Sequence, residues 1–336
     1  MRPQAASAAE VLRQGAMRDI TIAIVSYNTR ELTLHAAAAA RAAARGLDAA
    51  LLVADNASTD GTPEAVRAAF PDAEVQVYGD NPGYGAALNR AFARAPGAYL
   101  CALNADVLLA PESLRILRAY LAGHAECAVA GPSLTGRDGK PQPSCKRFPT
   151  VGFAVAELFA LHALAPRNRW NRRFYYGGED PHRPVRVETV SGAAMLIRGD
   201  AFRRIGGFDE GFRMYFEETD LCRRLQQAGY GVAFVPGARA VHWHGASTLQ
   251  TSVRQVEYYL SYIRFIRKHG GPAAARALAA VVAVSTAARM LALPLKYPPL
   301  SRRRLAVLRP KLAACRRLLG RLSAATALHA PAEAAP

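Results

Sequence analysis

The sequence predicts an α/β protein built on a mostly parallel sheet with flanking helices. Short apolar runs rich in Ile, Val and Leu alternate with helix-forming stretches across residues 20–103, the pattern produced by parallel strands joined through crossover helices. Polar clusters directly follow the apolar runs at Ser26-Tyr27-Asn28, Asp55-Asn56 and Asn104-Ala105-Asp106. Ligands of open α/β sheets sit beyond the carboxyl ends of the strands. A lone cluster would read as a turn or a cap; clusters at equivalent topological places mark one end of the sheet as a site.

The elements follow in order. Ile20–Ser26 is a run of Ile, Thr and Val and predicts the first strand. Glu31–Arg45 is helix-forming, and Leu51–Ala54 is a short buried strand. The turn cluster Asn56-Ala-Ser-Thr-Asp-Gly61 leads to a helix over Pro63–Phe70, with proline in its first turn. Glu74–Tyr78 predicts a strand, Tyr84–Ala95 a helix and Ala98–Leu103 a strand. Residues 132–149 and Pro166–Arg186, rich in proline, arginine and aromatics, predict long loops near the site. Order returns at Val187–Ile197, followed by the turn Gly206-Gly207-Phe208-Asp209, a helix over Thr219–Ala228 and a strand over Gly231–Val235.

Half of the residues are hydrophobic and about a fifth are charged, the balance of a folded chain and not of a disordered one. The five cysteines have no CxxC spacing, which fits isolated thiols in a reducing compartment better than a disulfide framework or a zinc site. Residues 1–18 lack an apolar core and predict a flexible leader, not a secretory signal. The net charge of +17 is concentrated at one end: from Ser252 onward, 15 Lys and Arg face two acids. Such a patch suits an anionic partner.

Within this tail, Val256, Tyr259, Leu260, Ile263 and Ile266 recur at helical spacing among Arg264, Arg267 and Lys268. Two readings stand for that helix: a basic amphipathic helix lying in a membrane interface, or a helix packed on the preceding domain. Residues 277–288 are uncharged over twelve positions, short of the roughly 20 needed to span a bilayer. With the Arg302-Arg303-Arg304 cluster they predict interfacial membrane association. The tail interleaves its charge with alanine and leucine and not with stacking aromatics, which favours lipid over nucleic acid.

The ordered motifs carry a resemblance. Ile24-Val-Ser-Tyr-Asn28, Asp55-Asn-Ala-Ser-Thr-Asp-Gly61, Asn81-Pro-Gly-Tyr-Gly85 with Asn89, Leu103-Asn-Ala-Asp106, Ser191-Gly-Ala-Ala194, Gly206-Gly-Phe-Asp-Glu210, Phe216-Glu-Glu-Thr-Asp-Leu221, and His242 with Gly245 and Ser247 together resemble the family 2 glycosyltransferases. The resemblance is strongest to the rhamnosyltransferase and galactofuranosyltransferase-like branch. It covers Ile20 to about Ser247 and implies the GT-A nucleotide-diphospho-sugar transferase fold. The implied layout is a flexible leader over 1–18, a catalytic domain over 19–251 and a basic, helical, membrane-associating tail over 252–336.

That resemblance implies site roles. Ser26, Asn28, Asp55 and Asn56 would hold the nucleotide, with Asp55 accepting a hydrogen bond from a uracil or thymine N–H. Gly83 and Gly85 would allow close backbone approach to the donor, and Asn89, Asn104 and Gly192 would complete the nucleotide-sugar site. Asp106, last residue of the family's Asp-x-Asp signature, and His242 would bind Mg²⁺ or Mn²⁺, which neutralises the charge of a departing diphosphate. Asn104 replaces the first aspartate of that signature. Glu218 would be the general base that deprotonates the acceptor hydroxyl in an inverting displacement, with Glu217 as the alternate. The helix dipole also favours acids at this position, independently of catalysis.

The implied reaction is sugar transfer from dTDP-rhamnose, or otherwise a UDP-sugar, to a lipid-linked glycan in cell-surface polysaccharide synthesis. Its implied location is the cytoplasm, peripheral at the inner face of the plasma membrane. The alternatives are a nucleotidyltransferase on a related fold, which would need a basic, glycine-rich loop after the first strand where Ser-Tyr-Asn-Thr stands, and a binding-only relative.

Overall fold

The computed structural model describes residues 17–159, 169–176, 182–243, 251–296 and 302–327. Most of the leader, and Gly245 and Ser247 of the last motif, lie outside the described residues. Arg18 already belongs to the first strand, where it pairs with Gly97.

The strands and helices of the first half follow one another as β1 (Arg18–Ser26), α1 (Arg30–Ala43), β2 (Ala49–Asp55), α2 (Thr62–Ala69), β3 (Glu74–Val77), α3 (Tyr84–Arg94) and β4 (Gly97–Asn104). Strands β1 to β4 are mutually parallel where they pair, in the order β3-β2-β1-β4. Ile20, Ile22, Ile24, Val53, Cys101 and Leu103 are buried with the alanines of α1. Ala23, Leu52, Leu100 and Ala102 point to the opposite face and pack with Leu88 and Phe92 of α3. Strands buried on both faces explain the unbroken apolar runs in the sequence.

The second half adds β5 (Val107–Leu109), α4 (Ser113–Gly123), β6 (Cys127–Thr135), β7 (Pro141–Gln142), β8 (Cys145–Lys146), α5 (Val151–Leu158), α6 (Arg169–Phe174), β9 (Val185–Arg186), β10 (Thr189–Val190), β11 (Ala194–Arg198), α7 (Gly199–Arg204), α8 (Glu217–Gln227) and β12 (Gly231–His242). The sheet extends as β4-β11-β6-β12-β5, with β11 antiparallel to both neighbours and β5 antiparallel to β12. The sheet is therefore mixed, parallel in its first half.

Two expectations change here. Residues 132–149 are not one loop: β6 runs to Thr135, and β7 and β8 follow. Strand β12 continues past Val235 to His242 across a register shift against β6. Pro236 and Gly237 within it made that continuation illegible, because proline and glycine ordinarily mark a break or a bulge.

The tail forms α9 (Thr251–Lys296) and α10 (Arg302–Ala327). Helix α9 kinks at Gly271, whose φ of 86° is open to glycine at little cost. Its first half packs on the preceding domain, burying Val256, Tyr262, Ile263, Phe265 and Ile266 with Phe212 and Phe216. Of the two readings for this segment, packing on the preceding domain is the one the structure shows. Arg264 and Lys268 of this helix face acids: Arg264 lies 3.1 Å and Lys268 2.7 Å from Asp209.

Asp220 on α8 is fully buried and gathers Arg224 at 2.7 Å, Lys268 at 2.8 Å and His269 at 2.8 Å. Burial alone would raise its pKa, but the His269 hydrogen bond and the Arg224 and Lys268 charges outweigh it and hold Asp220 down at about 2. Removing one member of such a buried cluster strands the others, at a cost of about 3–5 kcal/mol.

Beyond the kink, Leu278, Ala279 and Val282 pack with Ala314, Leu318 and Leu322 of α10. Val284 and Leu291 stay exposed. By length and composition α9 is apolar enough to cross a membrane, and a third of its most apolar window is buried inside the protein.

Candidate active site

The register places the expected clusters side by side. Ser26 pairs with Asp55, and Val25 pairs with Asn104, so β1, β2 and β4 end at one level. A cleft of about 300 Å³ opens there, lined by Ser26, Tyr27, Asn56, Gly83, Tyr84, Asn104, Asp106, Arg213 and Glu257.

The predicted nucleotide residues divide into two groups. Ser26, Asn56, Gly83 and Asn104 line the cleft. Asp55 lies beneath it, wholly buried, accepting from Ser26 Oγ at 2.7 Å, Ser58 Oγ at 2.6 Å and Ser58 N at 2.8 Å. A buried carboxylate needs such partners, and here they come from the protein. Asn28, with φ of 50°, accepts from Thr59 N at 2.7 Å and donates its own N–H to Ser58 Oγ at 2.7 Å; it ties the loop after β1 to the loop after β2. Asn89 is bound to another segment: its amide donates to Phe208 O and accepts from Phe208 N, both at 2.9 Å. The room left by Gly83 is filled by the Arg213 backbone, which a Cβ would strike, and that by Gly85 by Phe208 at 3.0 Å.

Asp106 and His242 converge at the far side of the cleft. His242 pairs with Val107 across β12 and β5, and its Nε2 lies 3.5 Å from Asp106 Oδ1, both side chains nearly buried. Gln142 Oε1 sits 2.9 Å from His242 Nδ1. A proton held there leaves the Nε2 lone pair toward Asp106, the way a partner on one ring nitrogen frees the other for a metal. One carboxylate oxygen and one imidazole nitrogen suit Mn²⁺, and a hard cation takes its remaining ligands from phosphates and water. Among the described residues no group of three or more potential ligands occurs. Trp243 lies under the Arg137 guanidinium, 4.2 Å from the ring centre, and 5.8 Å from the His35 ring.

Glu217 and Glu218 open α8, immediately after Tyr215 and Phe216, both in the left-handed region at φ of 66° and 68°. Each such non-glycine residue costs roughly 1–2 kcal/mol. The surroundings separate the two acids. Glu218 Oε1 accepts from Lys146 Nζ at 3.1 Å and Thr219 Oγ1 at 3.0 Å. Glu217 is as deeply buried, and its Oε2 has no hydrogen-bond partner. Burial, then the neighbouring Glu218, pushes Glu217 up to about 8, which holds it as the neutral acid at pH 7. The side-chain carbons of Glu218 sit 3.2 Å from where a Cβ on Gly192 would lie, and Gly192 O accepts from Tyr84 Oη at 2.8 Å. Gly192 therefore makes room for Glu218.

A second cavity of about 210 Å³ lies on the other side of this wall, lined by Ser144, Lys146, Phe174, Tyr175, Ser191, Phe216, Glu218 and Tyr258. The short β8–β10 ladder, Lys146 opposite Thr189, sets Lys146 beside Glu218.

Comparison with known proteins follows this geometry. The profile of glycosyl transferase family 2 matches residues 21–206, and that of glycosyl transferase family group 2 matches residues 144–318. The chain belongs to glycosyltransferase family 2. An N-acetylglucosaminyl-diphospho-decaprenol L-rhamnosyltransferase of Mycobacterium tuberculosis (strain ATCC 25618 / H37Rv) is 32% identical over 235 residues, 66% of this chain and 76% of the relative. The rhamnosyltransferase WbbL of Escherichia coli (strain K12) is 44% identical over 57 residues, 17% of this chain and 22% of its own length. In fold the chain is similar to a mannosyltransferase from Pyrobaculum calidifontis solved with GDP-Man and Mn²⁺, with a TM-score of 0.53, 16% identity, and coverage of 94% and 92%.

The cavities are also lined by residues that sequence reasoning passed over. Lys146 lay inside a stretch read as loop. Glu257 and Tyr258 lay in a helix for which two readings stood, neither of them a place in the site; the first lines the cleft and the second the other cavity. The missing signal was tertiary: neither sits in a motif.

The Glu217 environment has a measurable consequence. Its raised pKa means the folded state favours the neutral acid, so its contribution to stability is fully present below about pH 4.5 and is lost as pH rises through about 8. Urea denaturation of the wild type is expected to show stability falling across that window, and Glu217→Gln, which has no proton to lose, to flatten the fall. An unchanged slope in Glu217→Gln would show that Glu217 is ionised in the folded protein.

Proposed function

We propose that this chain is an inverting rhamnosyltransferase that moves L-rhamnose from dTDP-rhamnose to a lipid-linked glycan, with a UDP-sugar as the alternative donor. The observation that carries this is the contact chain from Tyr84 in the cleft through Gly192 to Glu218, in a chain that matches an N-acetylglucosaminyl-diphospho-decaprenol L-rhamnosyltransferase along most of that relative's length.

In this reading the nucleoside end of the donor lies against Ser26, Asn56 and Asn104, and its diphosphate lies toward Asp106 and His242. These two residues would hold Mg²⁺ or Mn²⁺, whose charge would stabilise the diphosphate as it leaves. Glu218 accepts the proton of the acceptor hydroxyl as that oxygen bonds to the anomeric carbon. The bond from the anomeric carbon to the diphosphate breaks, its electron pair leaves with the nucleoside diphosphate, and the configuration inverts.

Lys146 Nζ lies 3.1 Å from Glu218 Oε1, whereas among the described residues Glu217 has no such cation against it and its environment supports its neutral form. That division favours Glu218 as the base over Glu217. A neutral Glu217 also spares Glu218 a second negative charge nearby.

The tail completes the reading. Exposed Val284 and Leu291 on α9, with exposed Arg309, Lys311, Arg316 and Arg317 on α10, support docking on the anionic inner face of the plasma membrane, where a lipid-linked acceptor resides. The family members' Mn²⁺-bound fold relatives support a divalent cation in the cleft.

Turnover measured as nucleoside diphosphate release from dTDP-, UDP- and GDP-sugars with a prenyl-diphospho-glycan acceptor tests the reaction. Rhamnose transfer from dTDP-rhamnose is expected, abolished by chelation and by Asp106→Ala, and lowered about 100-fold to 10,000-fold by Glu218→Gln. Full activity in Glu218→Gln would remove it as the base, and turnover with none of the donors would leave a binding-only protein. Sedimentation with vesicles tests the docking. The protein is expected to bind vesicles containing anionic lipid, and Val284→Glu with Leu291→Glu to weaken that binding; equal binding by the double variant would place the contact elsewhere.

A further inference from the structure

Several basic side chains near the paired acids and α9 are committed to carboxylates. Lys146 lies 3.1 Å from Glu218, Arg224 2.7 Å from Asp220, and Arg264 and Lys268 3.1 Å and 2.7 Å from Asp209. Arg213 differs. It lines the donor-side cleft, it is exposed, and its side chain makes no hydrogen bond, ion pair or ring contact with another described residue.

Its backbone, in contrast, is pinned. Phe212 before it is buried, and the carbonyl of Met214 after it accepts from Ser261 Oγ on α9 at 2.7 Å. The Arg213 carbonyl itself fills the space beside Gly83, where a Cβ would strike it, and the φ of 97° at Gly83 also favours glycine. A cation with a fixed root and a free head therefore stands in the cleft wall.

The other charges of the cleft give that head a purpose. Among the lining residues the charged side chains are Asp106, Arg213 and Glu257. Glu257 is engaged by Arg321 of α10 at 2.8 Å, and Asp106 faces His242 Nε2 at 3.5 Å. An anion entering this cleft meets carboxylates unless a cation answers it, and an unpaired charge withdrawn from water is costly. The guanidinium fork presents paired N–H donors that match phosphate oxygens and stays charged at any working pH. An uncharged sugar ring offers no such pairing.

We propose that Arg213 is the diphosphate-binding arm of the donor cleft, its guanidinium closing on the phosphate oxygens of the nucleotide-sugar and remaining on the nucleoside diphosphate as it leaves. The inference rests on the transferase reading and deepens it, by giving the donor diphosphate a protein cation in addition to the pair Asp106 and His242. In the transfer step the bond between the anomeric carbon and the diphosphate oxygen breaks and its electron pair stays on that oxygen. Arg213 keeps its protons: it stabilises the charge through hydrogen bonds and does not act as an acid.

The experiment is equilibrium titration of the full chain, followed by ligand-observed NMR in EDTA, so that the arginine is read without a metal ion. The probes are dTDP against thymidine and, in parallel, UDP against uridine. The wild type is expected to prefer dTDP to thymidine. Arg213→Ala is expected to weaken dTDP about tenfold or more while leaving thymidine unchanged, and Arg213→Lys, which keeps the charge without the fork, to recover part of the loss. The thermal midpoint of Arg213→Ala is expected to match the wild type, because the side chain touches nothing in the fold. Equal dTDP affinity in wild type and Arg213→Ala would overturn the assignment, as would a wild type with no preference for the diphosphate over its nucleoside. Parallel loss of thymidine and dTDP would also overturn it, because Arg213 would then act through the shape of the cleft. A wild type that binds UDP and not dTDP, with the UDP lost in Arg213→Ala, would retain the arm and reject dTDP-rhamnose as donor, so the two failures are distinct.

Discussion

The catalytic centre depends on how the first turn of α8 is held. That turn begins after two successive left-handed, non-glycine residues, Tyr215 and Phe216, a conformation the backbone does not adopt without compensation. The compensation comes from α9. Its aromatic residues surround the Phe216 ring, and its Lys268 and His269 join Arg224 around the buried Asp220 one turn further on. One anchor lies just before the paired acids and the other just after them. Glu217 and Glu218 are fixed between these anchors, and the strain stored in the turn aims one of them into a cavity.

From that constraint the division of labour follows. Two glutamates in adjacent positions cannot both ionise at low cost in a buried setting. Lys146, delivered by the two-residue strand β8, sits on Glu218, while Glu217 has an orphaned oxygen and a raised pKa. Gly192 supplies the space for Glu218 and anchors Tyr84, so the partition between the cavities is one tyrosine, one glycine and one acid thick.

Much of this was legible in the sequence, for identifiable reasons. Strands β1, β2 and β4 were readable because both faces are buried and the runs are unbroken, and their polar ends named the cleft. Asp106 and His242 were readable through motif resemblance and do converge, although 135 residues of chain lie between them in a sheet whose order no periodicity reveals. The partners of the polar groups were not legible. Buried polar groups and ligand-binding groups are the same residue types, and the sequence does not show that Asp55 is engaged by Ser26 and Ser58 or Asn89 by Phe208. The first half of α9 looks like an interfacial helix because its basic residues suit lipid phosphates as well as Asp209 and Asp220. Charge pattern alone does not distinguish the partners of a lysine.

The most direct test of the account is a crystal structure with Mn²⁺, an unreactive nucleoside-diphospho-sugar and the soluble acceptor together. The account predicts the cation on Asp106 and His242, the nucleoside against Ser26 and Asn56, and the acceptor sugar beside Glu218. A hydroxyl of that sugar would lie between Glu218 and the anomeric carbon. A donor seated with its anomeric carbon away from Glu218, or a cation bound without Asp106, would contradict it.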